Sequence, residues 1–130
     1  MLSKLVTTVE ENGVKVETII EETELVEGDS LNGTVYITSI DGDEQEKIDY
    51  ISLKVLSEQP NGEMQIIAKH SFQLVGSIHS KEAEMVPFEL IPDDRWDIEN
   101  HLKLLFTTTV YFLDGTEIEE VGVISYQTEN

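Results

Sequence analysis

The sequence contains no cysteine, only three prolines and a single tryptophan among its 130 residues. Without cysteine there can be no disulfide framework, no thiol nucleophile and no cysteine-ligated metal site. Small secreted domains often depend on disulfides, so the lack of cysteine favours a reducing compartment. The sequence also lacks a recognisable signal peptide and any apolar run of the roughly 20 residues that span a bilayer. We therefore expect a cytoplasmic protein.

Positive charge is scarce as well. Lys and Arg number 8 against 27 Asp and Glu, which gives a formal net charge of −19 at pH 7. Nucleic-acid-binding proteins neutralise phosphates with Lys and Arg, and peripheral proteins use the same residues on anionic lipids. The charge therefore argues against nucleic acid and against direct binding to an anionic membrane. It is typical of a well-solvated surface.

What the sequence does contain is a succession of short segments in which apolar and polar residues alternate. Such alternation is typical of strands with one buried face, and the segments are rich in Val, Ile and Thr. Turn residues separate them at the short intervals found in β-sandwiches. We predict seven or eight strands, including 14–20, 31–38, 48–56, 64–75, 83–90, 102–113 and 117–126.

The length suits a single domain. We predict a flexible segment at 1–12, an all-β sandwich over 13–126 and a tail at 127–130. The segment between Asp93 and His101 is expected to form either one helical turn, with Asp93 or Asp94 as its N-cap, or an ordered loop. Pro87 has no backbone N–H, so its strand should lie at a sheet edge or contain a bulge.

Four short motifs carry a resemblance to a known family: VKVET at 14–18, EGDSLNGTVYI at 27–37, IDYISL at 48–53 and FELIP at 88–92. In these motifs the chain resembles the bacterial sporulation-control family of arrestin-like proteins. The resemblance implies a two-sheet antiparallel immunoglobulin-like β-sandwich of the arrestin type. It also implies a non-enzymatic regulatory or adaptor protein that acts through protein contacts. Family members usually carry two such domains, and this sequence has length for one.

Two glycines in these motifs suggest specific backbone roles. Gly28 is expected in a tight turn between two strands, where a positive φ is easily adopted. Gly33 lies inside a predicted strand, where the missing Cβ would avoid a clash or permit a bulge.

Residues with catalytic or metal-binding chemistry do not form a recognisable motif. His70, His79 and His101 are far apart, whereas zinc sites usually include closely spaced ligands. The acidic loop at 41–46 does not fit a calcium-binding loop, because neither the required glycine nor the terminal acid is in place. Nucleophile elbows and phosphate-binding glycine loops are also missing. We therefore predict no catalytic residue, no metal, no cofactor and no enzymatic activity.

An acidic cluster surrounds Arg95 and Trp96, formed by Asp93, Asp94, Asp97 and Glu99. The tryptophan is either folded back as a lid on one end of the sandwich or exposed as a contact anchor. We take Arg95 and Trp96 as the candidate contact with a protein partner, whose identity the sequence does not give.

Two further binding modes stay open. The sandwich could bind a small ligand or carbohydrate, with Trp96, Tyr111 or Tyr126 as stacking platforms. An unprotected edge strand could instead pair with a second copy of the chain and produce a homodimer.

Overall fold

The computed structural model describes residues 4–11, 13–39, 48–73, 83–97 and 103–127. Within these ranges the chain consists almost entirely of strands, joined by turns and one short 3-10 turn at Asp94–Trp96. The strands are β1 (Leu5–Glu11), β2 (Val14–Ile20), β3 (Glu24–Val26), β4 (Leu31–Ser39), β5 (Ile48–Glu58), β6 (Met64–Gln73), β7 (Ala83–Leu90), β8 (Lys103–Phe112) and β9 (Glu117–Gln127). In the part of the chain that the structure describes, no helix is long and apolar enough to cross a membrane.

The strands form two sheets. One has the order β1-β2-β4-β7 and the other the order β3-β9-β8-β5-β6. The pairings are antiparallel except that of β3 with β9, which is parallel. Buried side chains from both sheets form one apolar core, in which the rings of Phe88 and Phe106 stack with their centroids 5.8 Å apart. The predicted two-sheet, predominantly antiparallel β-sandwich is confirmed.

The N-terminal segment differs from the prediction. Residues 1–12 were expected to be flexible, but Leu5–Glu11 forms β1 and pairs with the whole length of β2. Val9 is buried in the core, and the side chain of Leu5 packs so closely on Gly122 of β9 that a Cβ there would overlap it. The domain therefore begins before residue 13, because β1 covers the edge of β2 and contacts the opposite sheet.

The two glycines have the backbone roles expected of them. Gly28 has a φ of 101° in the turn between β3 and β4, which the bond from the Asp29 N–H to the Val26 carbonyl closes at 2.9 Å. At Gly33 the register of β4 with both neighbours is continuous, so there is no bulge. A Cβ on Gly33 would lie 2.5 Å from the Ile19 carbonyl oxygen, so this glycine permits a close approach.

The strands that lie at the sheet edges agree in part with those expected from the sequence. Pro87 lies in β7 at the edge of the four-stranded sheet, opposite Thr34, so its missing N–H costs no bond to a second neighbour. The strongly apolar strand β8 lies inside its sheet, between β5 and β9. The ten-residue strand β6 forms an edge, and no strand of the described ranges pairs with its outer side.

One hydrogen bond joins the two sheets inside the core. The Thr108 hydroxyl donates to the Thr18 hydroxyl at 3.1 Å, and both residues are buried. Replacing Thr18 with valine would leave the Thr108 hydroxyl buried without this partner, which costs about 1–3 kcal/mol. We expect the double variant Thr18→Val/Thr108→Val to regain most of that loss. Urea unfolding of the two single variants and the double variant measures the coupling, and additive losses would contradict it.

Candidate functional site

The directions of the side chains in β8 define the surface of the five-stranded sheet that faces away from the core. Because Thr108 bonds to Thr18 of the other sheet, it points inward. Successive side chains in a strand point to opposite faces, so Thr107 and Thr109 point outward. The register of β8 with β5 and β9, and of β5 with β6, then fixes which residues share this side. We call this surface the outer face.

The outer face consists of rows of side chains that cross β9, β8, β5 and β6 in that order. Four successive rows are Glu117, Tyr111, Tyr50 and Gln73; Glu119, Thr109, Ser52 and Ser71; Val121, Thr107, Lys54 and Lys69; and Val123, Leu105, Leu56 and Ile66. We call the third of these the lysine row and the fourth the apolar row.

The first two rows are linked by contacts of their own. The rings of Tyr50 and Tyr111 stack with centroids 4.2 Å apart. Partial burial and, after it, the neighbouring Tyr111 raise the pKa of Tyr50 above its ordinary value. In the next row, the Ser71 hydroxyl donates to Ser52 at 3.2 Å and the Thr109 hydroxyl donates to a Glu119 carboxylate oxygen at 3.2 Å. These rows are stabilised without a partner.

The apolar row is a hydrophobic strip on the surface. Val123 is 61% exposed and Ile66 is 49% exposed, while Leu105 and Leu56 lie half-buried between them. Four strands at a spacing of about 4.8 Å make the strip about 14 Å wide. Val121 and Met64 extend the exposed apolar surface on either side of the row. Contiguous surface of this kind is typical of a binding site, unlike isolated exposed apolar residues.

The lysine row combines two unusual features. Lys54 and Lys69 are directly opposite one another in neighbouring strands, although the sequence has only 8 Lys and Arg. Within the described residues neither ammonium group forms an ion pair, whereas Lys103 pairs with Glu58 at 3.9 Å. Thr107, next to Lys54 in the row, is 1% exposed, and its hydroxyl has no hydrogen-bond partner among those residues.

The predicted contact residues Arg95 and Trp96 lie at one end of the sandwich. Asp93 caps the 3-10 turn by accepting a bond from the Arg95 N–H at 2.9 Å, and is one of the two caps that the sequence left open. Arg95 Nη2 lies 2.7 Å from Asp93 Oδ2. These side-chain bonds hold the pKa of Asp93 below its ordinary value and raise that of Arg95. The guanidinium group is exposed, but its charge is already balanced.

Trp96 has the lid role, one of the two that the sequence left open. Its side chain is 0% exposed, and its ring meets that of Tyr126 edge-on at a centroid distance of 6.2 Å. It can therefore influence a partner only by holding the loop that presents Arg95. Arg95 also lines a cleft of about 310 Å³ together with Gln59, Gln65 and Asp94.

The stacking platforms proposed for a carbohydrate are mostly inaccessible. Trp96 and Tyr126 are buried, and Tyr111 is stacked against Tyr50. His70 is exposed on β6, and the described part of the chain holds no cluster of His, Asp and Glu suited to a metal ion. The acidic loop at 41–46, His79, Glu99 and His101 lie outside the described residues.

Sequence reasoning missed the outer face, although one signal pointed to its lysine pair. Lys54 and Lys69 are equally distant from Asn61–Gly62, a dipeptide typical of tight hairpin turns. A two-residue hairpin at that dipeptide would place the two lysines opposite each other. In the structure the loop is longer, since the Gln59 N–H bonds to the Glu63 carbonyl, and the register shift between Val55 and Leu56 restores the pairing of the lysines. The partners in β8 and β9 are too distant in sequence for such a rule.

The fold and the outer face define a two-sheet β-sandwich whose candidate site is an open sheet surface. Among solved structures, the chain is similar to Spo0M, a sporulation control protein from Bacillus subtilis, with 21% identity and a TM-score of 0.59 over 92% of this chain and 51% of that one. It is also similar to pT26-6p (13% identity, TM-score 0.53, covering 91% and 23%) and to a β-glucosidase from Listeria innocua in complex with isofagomine (17%, 0.52, 96% and 16%).

Identities this low establish a shared fold, and the chain spans about half the length of Spo0M, at 51%. No protein-family model matches the chain, and no curated protein does. The predicted likeness to a sporulation-control protein is confirmed for the fold, while the arrestin-type assignment stays a prediction.

Proposed function

We propose that this chain is a non-enzymatic regulatory or adaptor module of the arrestin type that binds a protein partner in the cytoplasm. The observation that carries the proposal is the apolar row, defined by Val123, Leu105, Leu56 and Ile66. The fold shared with Spo0M, which is named as a sporulation control protein, supports a regulatory role. The glycosidase neighbour matches over only 16% of its own chain, so its likeness adds no support for catalysis here.

The energetic basis is the burial of exposed apolar surface. Each Å² of such surface removed from water stabilises a complex by about 25 cal/mol before the costs of association. Stable protein interfaces bury about 800 Å² on each partner, and their centre is apolar with a polar rim. On the outer face, the apolar row is such a centre, and the Lys103–Glu58 ion pair lies at its rim.

Matched glutamate substitutions test this proposal. Val123 and Val6 are both exposed valines in strands, but Val6 lies on the four-stranded sheet at 48% exposure. A photo-crosslinking residue at either position, expressed in the native cell, should capture a specific protein from position 123 alone. Val123→Glu should weaken retention of that protein at least tenfold, and Val6→Glu should leave it unchanged.

The proposal is wrong if position 123 yields no adduct, or if both glutamate variants retain the protein equally. An adduct whose mass equals twice that of the chain would instead identify a homodimer. Analytical ultracentrifugation of the free protein distinguishes that case, since pairing through the open edge of β6 would leave Val123→Glu dimeric.

A further inference from the structure

We propose that the outer face recognises an extended acidic segment of its partner, which lies along the strands of the sheet. A carboxylate of that segment binds at the lysine row, between the ammonium groups of Lys54 and Lys69 and near the Thr107 hydroxyl. Apolar side chains of the same segment pack on the apolar row. This inference rests on the proposed function and adds the chemistry of the ligand.

The first argument is the charge of the lysine row. Like charges directly opposite one another in neighbouring strands destabilise a sheet. Most positions of the outer face carry acidic or neutral residues, so the sheet itself does not require the repulsion between Lys54 and Lys69. Carboxylates are abundant in the chain, yet none of the described ones forms an ion pair with Lys54 or Lys69. A carboxylate supplied by a partner would turn this repulsion into two charge-assisted bonds.

The second argument is Thr107. Its side chain projects from the outer side of β8 by strand alternation, and its hydroxyl is almost completely buried and has no hydrogen-bond partner among the described residues. Buried polar groups are nearly always hydrogen-bonded in folded proteins. A carboxylate oxygen placed beside Lys54 would accept a hydrogen bond from this hydroxyl once the side chains that cover it move aside, because Thr107 and Lys54 are neighbours in the same row.

The third argument is spacing. Along β9, β8 and β5, successive rows of the outer face are two residues apart, which corresponds to about 6.6 Å. In β6, the register shift opposite Val55 and Leu56 separates Lys69 from Ile66 by three residues. An extended peptide repeats its side chains on one side at the same interval as β9, β8 and β5. A segment that places Asp or Glu at the lysine row therefore places its residue two positions further on at the apolar row. The surface thus selects the pattern acid-x-apolar, in which the apolar residue is Val, Ile or Leu.

A second copy of the chain fits this surface less well than a short segment. Two copies carry a net charge of −19 each and repel one another, whereas a segment with two or three acids is repelled far less. Screening by salt reduces this long-range repulsion over a Debye length of about 10 Å at 0.1 M.

The experiment uses three synthetic ten-residue peptides in which valine alternates with glutamate, glutamine or lysine. Each is titrated to millimolar concentration into the isotopically labelled full chain, and backbone amide shifts are followed by NMR. We expect the glutamate peptide to shift the amides of Lys54, Lys69 and Val123. Its affinity should exceed that of the glutamine peptide about tenfold or more, which corresponds to one lost charge-assisted contact.

Substitution of one lysine separates binding from folding. Lys69→Thr should weaken the glutamate peptide about tenfold while leaving the melting temperature equal or slightly higher, because the opposed charges are removed. Lys69→Arg should retain binding. Lys15→Thr is the matched control, since it removes the same charge from the other sheet, where Lys15 faces Glu10.

Equal affinity for the glutamate and glutamine peptides, or no amide shifts at the outer face, would overturn this inference. So would a loss of stability in Lys69→Thr that matches its loss of binding. The proposed function can fail separately, because its crosslinking test at position 123 does not depend on the charge of the partner. Dimerisation of the chain at these concentrations, detected by ultracentrifugation, would also contradict the inference that an acidic segment binds the outer face.

Discussion

Replacing Trp96 with alanine is expected to lower the free energy of unfolding by about 3–5 kcal/mol, the range measured for large buried aromatic residues. Trp96 is fully buried, and its contact with Tyr126 joins the 3-10 turn to the end of β9. Single domains are stable by only about 5–15 kcal/mol, so this one change removes a large part of the total. The melting temperature should fall by about 10–20 °C.

Urea unfolding of the alanine variant and of a Trp96→Phe control measures this effect. The phenylalanine variant keeps an aromatic ring in the core and should lose less than half as much. Arg95→Ala provides a second comparison, because its guanidinium group is exposed and bonds within the loop to Asp93. A loss of stability for Arg95→Ala as large as that for Trp96→Ala would contradict the lid role.

The second large effect is expected at Gly33. A Cβ at this position would lie 2.5 Å from the Ile19 carbonyl oxygen and 2.6 Å from Cζ of Phe88. The Phe88 ring is buried and stacked on Phe106, and Ile19 belongs to β2, whose backbone is fixed by its pairing with both β1 and β4. Gly33→Ala should therefore separate two paired strands locally and cost about 2–3 kcal/mol.

The matched control for Gly33→Ala is Gly28→Ala, because alanine at position 28 is unfavourable through its backbone conformation and not through a clash. A Cβ on Gly28 meets nothing within 4 Å, so Gly28→Ala suffers only the strain of its positive φ and should cost about 1 kcal/mol. The double variant Gly33→Ala/Phe88→Leu should recover only part of the loss, because the clash with the Ile19 carbonyl remains. Full recovery would show that the Phe88 ring alone makes glycine necessary.

Trp96→Ala and Gly33→Ala both change the stability of the sandwich that supports the outer face. The Trp96 loop closes one end of the sandwich, and Gly33 lies in the sheet opposite the lysine and apolar rows. Substitutions at these positions should weaken partner binding only as far as they unfold the domain. Val123→Glu and Lys69→Thr should do the reverse, because exposed side chains of the outer face contribute little to the core.

Local chemistry explains the strands that the sequence predicted. The alternation in 14–20 and 48–56 reflects one buried side per strand, and β2 and β5 follow it. The positive φ of Gly28 and the missing N–H of Pro87 act within a few bonds, so their roles could be inferred directly. The strand β1 was missed because polar residues fill most of its length, and its pairing with β2 is what orders it.

The candidate site could not be predicted in the same way. Lys54 and Thr107 are 53 positions apart and meet only because β5 pairs with β8 in one register. Shifting that register by one residue would point every outer side chain of one strand into the core. The sequence also left two roles for Trp96, and the packing of the loop against Tyr126 selected the buried one.

The sequence alone therefore determined the acidic character of the chain, most of its strands and its principal turns, since each depends on composition or on neighbours along the backbone. The tertiary structure decided which strands lie side by side and which of their side chains share a surface. That choice depends on the packing of one sheet against the other, which buries residues such as Phe88 and Phe106 from distant parts of the chain. The lysine and apolar rows are a consequence of that packing.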